Sequence, residues 1–440
     1  MAQCTDCGQD STYNPKRVSA YNFRYSDTFG GLVSPVAEEL KDYERLPYIF
    51  GILPVIPFFD DSDATLRVLR MLASLSPTRG ACIESMGDYV LGAGIKATRY
   101  RKPGVSVVGV ERLPEQEEAA VFSFIESWFT GSSMHYMQEQ ISNVYENLAT
   151  YGNAGLMITM TAAGGARAVT YTAVDAEKFR YLAPMYEYTN RKVVAISQLW
   201  TSDYITRYPP KMVSVYPELD TFEDGTVQTF IHLKNKKANR DWYGLPQAYP
   251  SLYYQFIEYQ LGDYTTKGYG QDWTGKVMIE TAGDVAEPGM DEDEIKAFRD
   301  SLQETFTRSG KSKRIIHRHR LSSDEKTMIH EFKDDTSHEF HTGMAEIAER
   351  QIIKAHNWHP ELLGTPTPGR LGNATFQEVY MIKKRTVINP LQDWVMQPFN
   401  QLFELAKGWL GSNIEATISL DDLFVFEQEQ QVNAANQDRQ

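Results

Sequence analysis

Residues 356–391, HNWHPELLGTPTPGRLGNATFQEVYMIKKRTVINPL, constrain the fold more than any other stretch. Upstream of them, over 336–357, Phe340, Met344, Ile347, Ala348, Ile352 and Ala355 recur at three- and four-residue steps, the spacing of one helix face. Thr336 followed by Glu339 has the form of a capping box, in which two side chains satisfy free backbone donors at a helix start. Pro360 ends that run. Gly364, Pro366, Pro368, Gly369 and Gly372 then mark a stretch that can neither continue a helix nor enter a sheet interior. Phe376, Val379, Tyr380 and Val387 resume a helical stripe, which Pro390 interrupts. The chain must therefore accommodate a helix, a Pro/Gly loop and a helix broken by prolines, in that order.

Elsewhere helical and β-rich stretches follow one another along the chain, and the expected fold class is α+β. The spacing predicts a helix over 62–76 stopped by Pro77 and Gly80, a second over 81–91 ended by Gly92 and Gly94, and a strand over 95–101. Pro114 suits a first helical turn, and Glu115, Glu117 and Glu118 complement the positive end of the helix dipole. Val121, Phe124, Ile125 and Trp128 form its apolar face; Met134, Met137, Ile141, Val144 and Leu148 form that of the next helix, up to Gly152-Asn153. From 156 to about 233, β-rich segments alternate with turn clusters and predict an antiparallel sheet, with residues 162–166 as a hairpin turn. Leu252, Phe256 and Tyr259 predict a helix up to about Gly268. Between this helix and the one over 336–357 lie a strand (276–280), an acidic loop, a helix from Asp291 and a basic strand (313–321). Ile414, Ala416, Ile418 and Leu420 alternate with polar residues as a final strand.

Composition excludes several functions. A chain of 440 residues with 42% hydrophobic content predicts two or three domains, and a net charge of −14 is opposite to a surface that clasps nucleic acid. Three cysteines make no disulfide framework, and the N-terminal residues do not have the form of a signal peptide, so a cytoplasmic chain is expected. The longest apolar run, around 49–59, is broken by Pro54 and Pro57 and is too short to span a bilayer. Cys4-x-x-Cys7 is half a zinc site without a second pair. His338-Glu-Phe-His341 differs from the metalloprotease motif, whose second histidine falls at i+4, and His356 and His359 read as packing beneath the loop. No phosphate-cradling loop or nucleophile elbow is visible, so no cofactor, metal or catalytic residue is assigned and no enzyme is expected.

One run stands out in this acidic chain. Arg308, Lys311, Lys313, Arg314, Arg318 and Arg320, with His317 and His319, fit a solvated strand face, a contact with an acidic neighbour such as residues 284–294, or a contact with nucleic acid or an adaptor.

Three pieces in order, His-Pro-Glu-Leu-Leu-Gly at 359–364, Gly-Asn-Ala at 372–374 and Ile-Asn-Pro-Leu-Gln at 388–392, resemble the portal proteins of tailed bacteriophages, in their PBSX-like branch. Tyr151-Gly-Asn-Ala and Trp242-Tyr-Gly-Leu-Pro resemble two further stretches of that family, and the resemblance covers roughly residues 80–425. It implies an N-terminal arm (1–45), a wing (46–245), a first stem helix (246–270), a clip (271–335), a second stem helix (336–357), a tunnel-loop region (358–374), a kinked helix with a wing strand (375–426) and a polar tail (427–440). It also implies a ring of identical subunits, commonly twelve, in the virion, with a channel for double-stranded DNA. The implied partners are the terminase, the major capsid protein and scaffold, and a tail adaptor; no membrane is involved. On this reading Thr365, Thr367, Gly369 and Arg370 face the DNA, and Lys311, Lys313, Arg314, Arg318 and Arg320 meet a neighbouring subunit or the adaptor. A metal-dependent hydrolase using the cluster from His338 to His359, and a structural ring that conducts no DNA, are the rival readings.

Overall fold

The computed structural model describes residues 48–50, 53–58, 65–99, 112–163, 165–183, 192–237, 242–270, 276–282, 315–320, 328–332, 337–364 and 373–424. In chain order these form β1 (Tyr48–Phe50), β2 (Leu53–Val55), α1 (Thr65–Leu75), α2 (Pro77–Leu91), β3 (Gly94–Arg99), α3 (Glu115–Glu126), α4 (Met134–Tyr151), β4 (Asn153–Ala163), β5 (Ala166–Val174), β6 (Phe179–Tyr181), β7 (Val193–Ile196), α5 (Ser202–Arg207), β8 (Lys211–Ser214), β9 (Asp220–Thr221) and β10 (Val227–Lys234). There follow α6 (Leu252–Gly270), β11 (Lys276–Ala282), β12 (Ile315–Arg320), β13 (Met328–Phe332), α7 (Ser337–Ala355), α8 (Asn373–Lys383), α9 (Asn389–Leu410) and β14 (Ala416–Asp421). The fold is a mixture of helices and strands. It divides into two compact units, one of residues up to 71, 83–247 and from 369, the other of residues 72–82 and 248–368.

In the first unit an antiparallel sheet runs β5-β4-β10-β9, beside a three-stranded antiparallel sheet β6-β7-β8. The single sheet expected over 156–233 is thus two sheets, joined by one bridge between Val215 and Phe230 and interrupted by α5. Asn153 starts β4 because Gly152 ends α4 in the left-handed conformation (φ 70°), a backbone state glycine adopts without a Cβ penalty. Of the stripe predicted for α4, Met137, Ile141, Val144 and Leu148 are buried, and Met134 in the first turn is half-buried. Over the sheet lies α9, which buries Val395, Met396, Phe399, Leu402, Phe403 and Ala406. Fully buried Trp128 meets Phe124 and Tyr171 edge-on and packs beside Phe403. Aromatic burial on this scale dominates core energetics.

β3 and β14 pair antiparallel, Ala97 opposite Ile418, and the predicted inward residues of β14, Ala416, Ile418 and Leu420, are all buried. Glu118 does more than complement a helix dipole. Its carboxylate is buried, accepts the Ala97 amide at 3.0 Å and forms an ion pair with Arg112.

Three proline readings are corrected. Pro77 begins α2 rather than stopping α1, and Ser76 caps the new helix by accepting the Arg79 amide. Proline is tolerated there because the first-turn amide has no helical partner anyway. Gly80 consequently lies inside α2. Pro390 does not break the long helix either. A π-helical turn, Lys384–Ile388, precedes it and carries α8 directly into α9, and Pro398 sits inside α9. A proline cannot donate to the carbonyl four residues back, and one widened turn absorbs that deficit. Finally, the helix over 336–357 stops at Ala355, before Pro360. Asn357 takes a left-handed conformation (φ 51°), and Pro360 opens a short 3-10 turn, Pro360–Leu363.

In the second unit α6 and α7 pack together, Tyr264 against His341 at 4.7 Å between ring centroids. The start of α2 belongs to this unit. Its Ser76 and Thr78 hydroxyls donate to the Glu258 carboxylate, and the fully buried Arg79 donates to Gln255 at 2.8 Å. The sheet β12-β11-β13 contains an antiparallel pair, β11–β13, and a parallel pair, β11–β12. β13 lacks the alternation that would reveal it in the sequence.

Candidate functional site

Two of the stretches that resemble the phage family, 151–154 and 242–246, meet in the structure. Asn153 follows the αL glycine of α4, and its amide nitrogen donates to the carbonyls of Tyr151 (2.9 Å) and Gly244 (2.8 Å). Its amide oxygen accepts the Gly244 backbone N–H at 2.7 Å. Asn153 therefore grips Gly244 from both sides, 91 residues further along the chain. The fit is close enough to specify glycine. A Cβ on Gly152 would lie 2.2 Å from the Leu245 carbonyl carbon, and one on Gly244 would lie 2.5 Å from the Asn235 nitrogen. The backbone completes the clasp, with the Asn235 amide donating to Gly152 and that of Leu245 to Asn235.

A buried histidine extends this junction. His232 Nε2 lies 3.2 Å from Asn153 Oδ1 and Nδ1 lies 2.7 Å from the Tyr181 hydroxyl. An amide oxygen can only accept, so the proton sits on Nε2 and Nδ1 accepts from Tyr181. Burial, with Lys234 and Lys192 nearby, lowers the pKa of His232 to about 3. The Tyr243 hydroxyl donates to the Ile56 carbonyl and accepts the Tyr181 amide. Every hydrogen-bonding atom named here is engaged inside the protein, so the junction ties residues 56, 151–153, 181, 232–235 and 243–245 together.

The predicted DNA-facing residues, Thr365, Thr367, Gly369 and Arg370, lie outside the described residues; what is described is how their loop is anchored. On the upstream side Trp358 is buried, His359 Nδ1 accepts the Glu361 amide at 3.3 Å, and Gly364 is left-handed (φ 77°). His356 is buried with its ring against the Ile352 carbonyl at 2.9 Å. The histidines of the supposed metal cluster that are described, His341, His356 and His359, serve packing and capping. Among the described residues no three His, Cys, Asp or Glu side chains are placed to hold a metal ion. Downstream, α8 starts at Asn373, where Tyr380 is buried next to Phe376 and Phe424. The buried Lys384 of the π turn pairs with Asp422 at 3.2 Å.

Of the basic run, Lys311, Lys313 and Arg314 lie outside the described residues, as do the acidic stretch 284–294, the helix from Asp291 and the Cys4/Cys7 pair. Arg318 and Arg320 fall on β12, opposite Glu280 and Ala282 of β11. The structure thus brings together the two glycine motifs, while the predicted DNA-facing residues and three of the five predicted clip residues lie outside the described residues. Sequence reasoning missed His232 and Lys384, whose partners are remote in the chain, and gave Glu118 only a helix-dipole role. No helix of the described residues is long and apolar enough to cross a membrane.

No family model matches the chain. No curated protein matches it. Solved structures do. One is a chain from the neck of an empty GTA particle, with TM-score 0.48, 13% identity, and coverage of 81% of this chain and 84% of that one. A chain from the virion of a native gene transfer agent (GTA) particle gives TM-score 0.48 and 13% identity over 88% and 89%. An HK97 family phage portal protein from Corynebacterium diphtheriae gives TM-score 0.43 and 9% identity over 80% and 94%.

Proposed function

We propose that this chain is a phage portal, the head–tail connector whose ring forms a DNA channel at one vertex of the capsid. The observation that carries the reading is the clasp. Two stretches that separately resemble the portal family, Gly152-Asn153 and Tyr243-Gly244, bond to each other across 91 residues. Chance matches would have no reason to meet. The long helix 373–410, with a π turn before Pro390, supports the kinked helix that the resemblance implies. Membership of the PBSX-like branch rests on residues 359–392 alone. The role is structural, with terminase, capsid and scaffold, and an adaptor as partners in the virion.

The net charge of −14 suits conduction. Lysine–phosphate contacts make DNA binding tight and salt-dependent, whereas a wall that repeats an acidic subunit repels the duplex and keeps it centred. Imaging the purified particle should show a closed ring with a central channel. A stable monomer containing zinc or manganese would favour the hydrolase instead.

Two expected results concern the predicted contacts. Arg370 is the only charged residue of the 365–371 loop and offers phosphate a planar donor fork. Arg370→Glu should leave rings intact and reduce DNA packaging or retention; particles that hold full-length DNA as the parent does would remove the loop from the channel. Reversing charge at Arg318 and Arg320 should weaken ring assembly or adaptor docking while the fold persists, since exposed ion pairs contribute only about 0–1 kcal/mol each. Unchanged assembly and tail joining would return the run to a solvated strand face.

A further inference from the structure

Two exposed features of the first unit have complementary chemistry. The first is the hairpin between β9 and β10. Three hydrogen bonds close its turn: the Phe222 amide donates to the Thr226 carbonyl, that of Gly225 to the Phe222 carbonyl, and that of Thr226 to the Asp224 carboxylate. This turn holds Phe222 46% exposed and Leu219, just before β9, 40% exposed, beside the exposed carboxylates of Glu223 and Asp224. The second is the end of α8. Ile382 is 61% exposed, the most of any large apolar side chain among the described residues. Three residues on, at the start of the π turn, Arg385 is exposed as well. Buried Tyr380 and the Lys384–Asp422 pair on the opposite side fix this knob in place.

We propose that these surfaces meet between copies of the chain: Ile382 and Arg385 of one subunit dock on the Leu219–Phe222 margin and the Glu223/Asp224 tip of the next. The partner is a second copy because one chain carries both halves of the contact, apolar with cationic on one side and apolar with anionic on the other. Two different patches make a heterologous contact, which closes into a ring when the rotation permits. The inference rests on the ring reading above and adds the surface that closes it.

The test mixes two blocked variants of the full chain. Phe222→Asp should fail to assemble with itself, and so should Ile382→Asp, each with its association weakened at least about tenfold, as expected for a hot-spot side chain. Circular dichroism and melting should match the parent, since both side chains are exposed. Mixed together, the variants retain one intact face each and should form 1:1 pairs that grow no further in native mass spectrometry. Variants that assemble like the parent would overturn this contact while leaving the ring reading standing. Monomeric variants that do not pair on mixing would show that the two surfaces do not meet, and also overturn it. A parent that stays monomeric at every concentration, alone and with scaffold and capsid protein, would end both readings.

Discussion

Replacing Gly152 with alanine should destabilise the first unit by about 3 kcal/mol or more, the sum of a left-handed backbone penalty and a steric clash. The residue sits at φ 70°, and its new methyl group would lie 2.2 Å from the Leu245 carbonyl carbon. That neighbour is backbone held by Asn153 and Asn235 and cannot rotate away. Gly165 supplies the control, since its φ is 88° but nothing lies within 4 Å of a Cβ built there. Gly165→Ala should therefore carry only the conformational penalty, about 1–2 kcal/mol. Urea unfolding of both variants separates the effects, and equal losses would show that the clasp is not tight. A domain stable by about 5–15 kcal/mol would lose a large fraction of its margin at Gly152.

Acid should weaken both units well before their carboxylates protonate. Burial lowers the pKa of His232 to about 3 and that of His356 to about 4, against an unfolded value of 6.5. Below pH 6.5 the unfolded chain takes up protons that the folded chain refuses. The stability held by keeping these rings neutral is complete above pH 6.5 and drains away as pH falls toward 4 and then 3. The slope approaches about 1.4 kcal/mol per pH unit for each histidine. Denaturation midpoints measured from pH 7.5 to 4.5 should fall steadily. A flat profile between pH 7 and 5, or a His232 ring resonance that titrates near 6.5 in the folded chain, would contradict the buried geometry.

What the sequence made legible was whatever repeats locally. The Met137, Ile141, Val144 and Leu148 stripe and the Ala416, Ile418 and Leu420 alternation each occupy one face and are buried as read. Prolines were harder, because one residue type both starts and stops helices. Pro77 opens α2 since Ser76 caps it and Glu258 receives the neighbouring hydroxyls, and nothing in 76–80 reveals a carboxylate 180 residues away. The clasp was visible only as two separate motifs. That Asn153 would hold Gly244, or that His232 would sit behind it, depends on the pairing of β4 with β10. Glu118 is legible as a helix-dipole charge, but its burial and that of Lys384 are not, since a buried charge is defined by a partner that periodicity does not announce.

The pairing of β3 with β14 bears on the order in which a ribosome can finish this molecule. Thr98 donates its hydroxyl to Thr417, 319 residues later. Loop closure over such a distance adds little at equilibrium, because its entropy grows only logarithmically with length. In time the separation matters more. β3 must wait, its edge unsatisfied, while nearly all the residues of both units are synthesised. An unpaired edge is an invitation to other nascent chains. Slow translation or crowded expression should therefore cost yield through aggregation at this strand, even where the finished protein is stable.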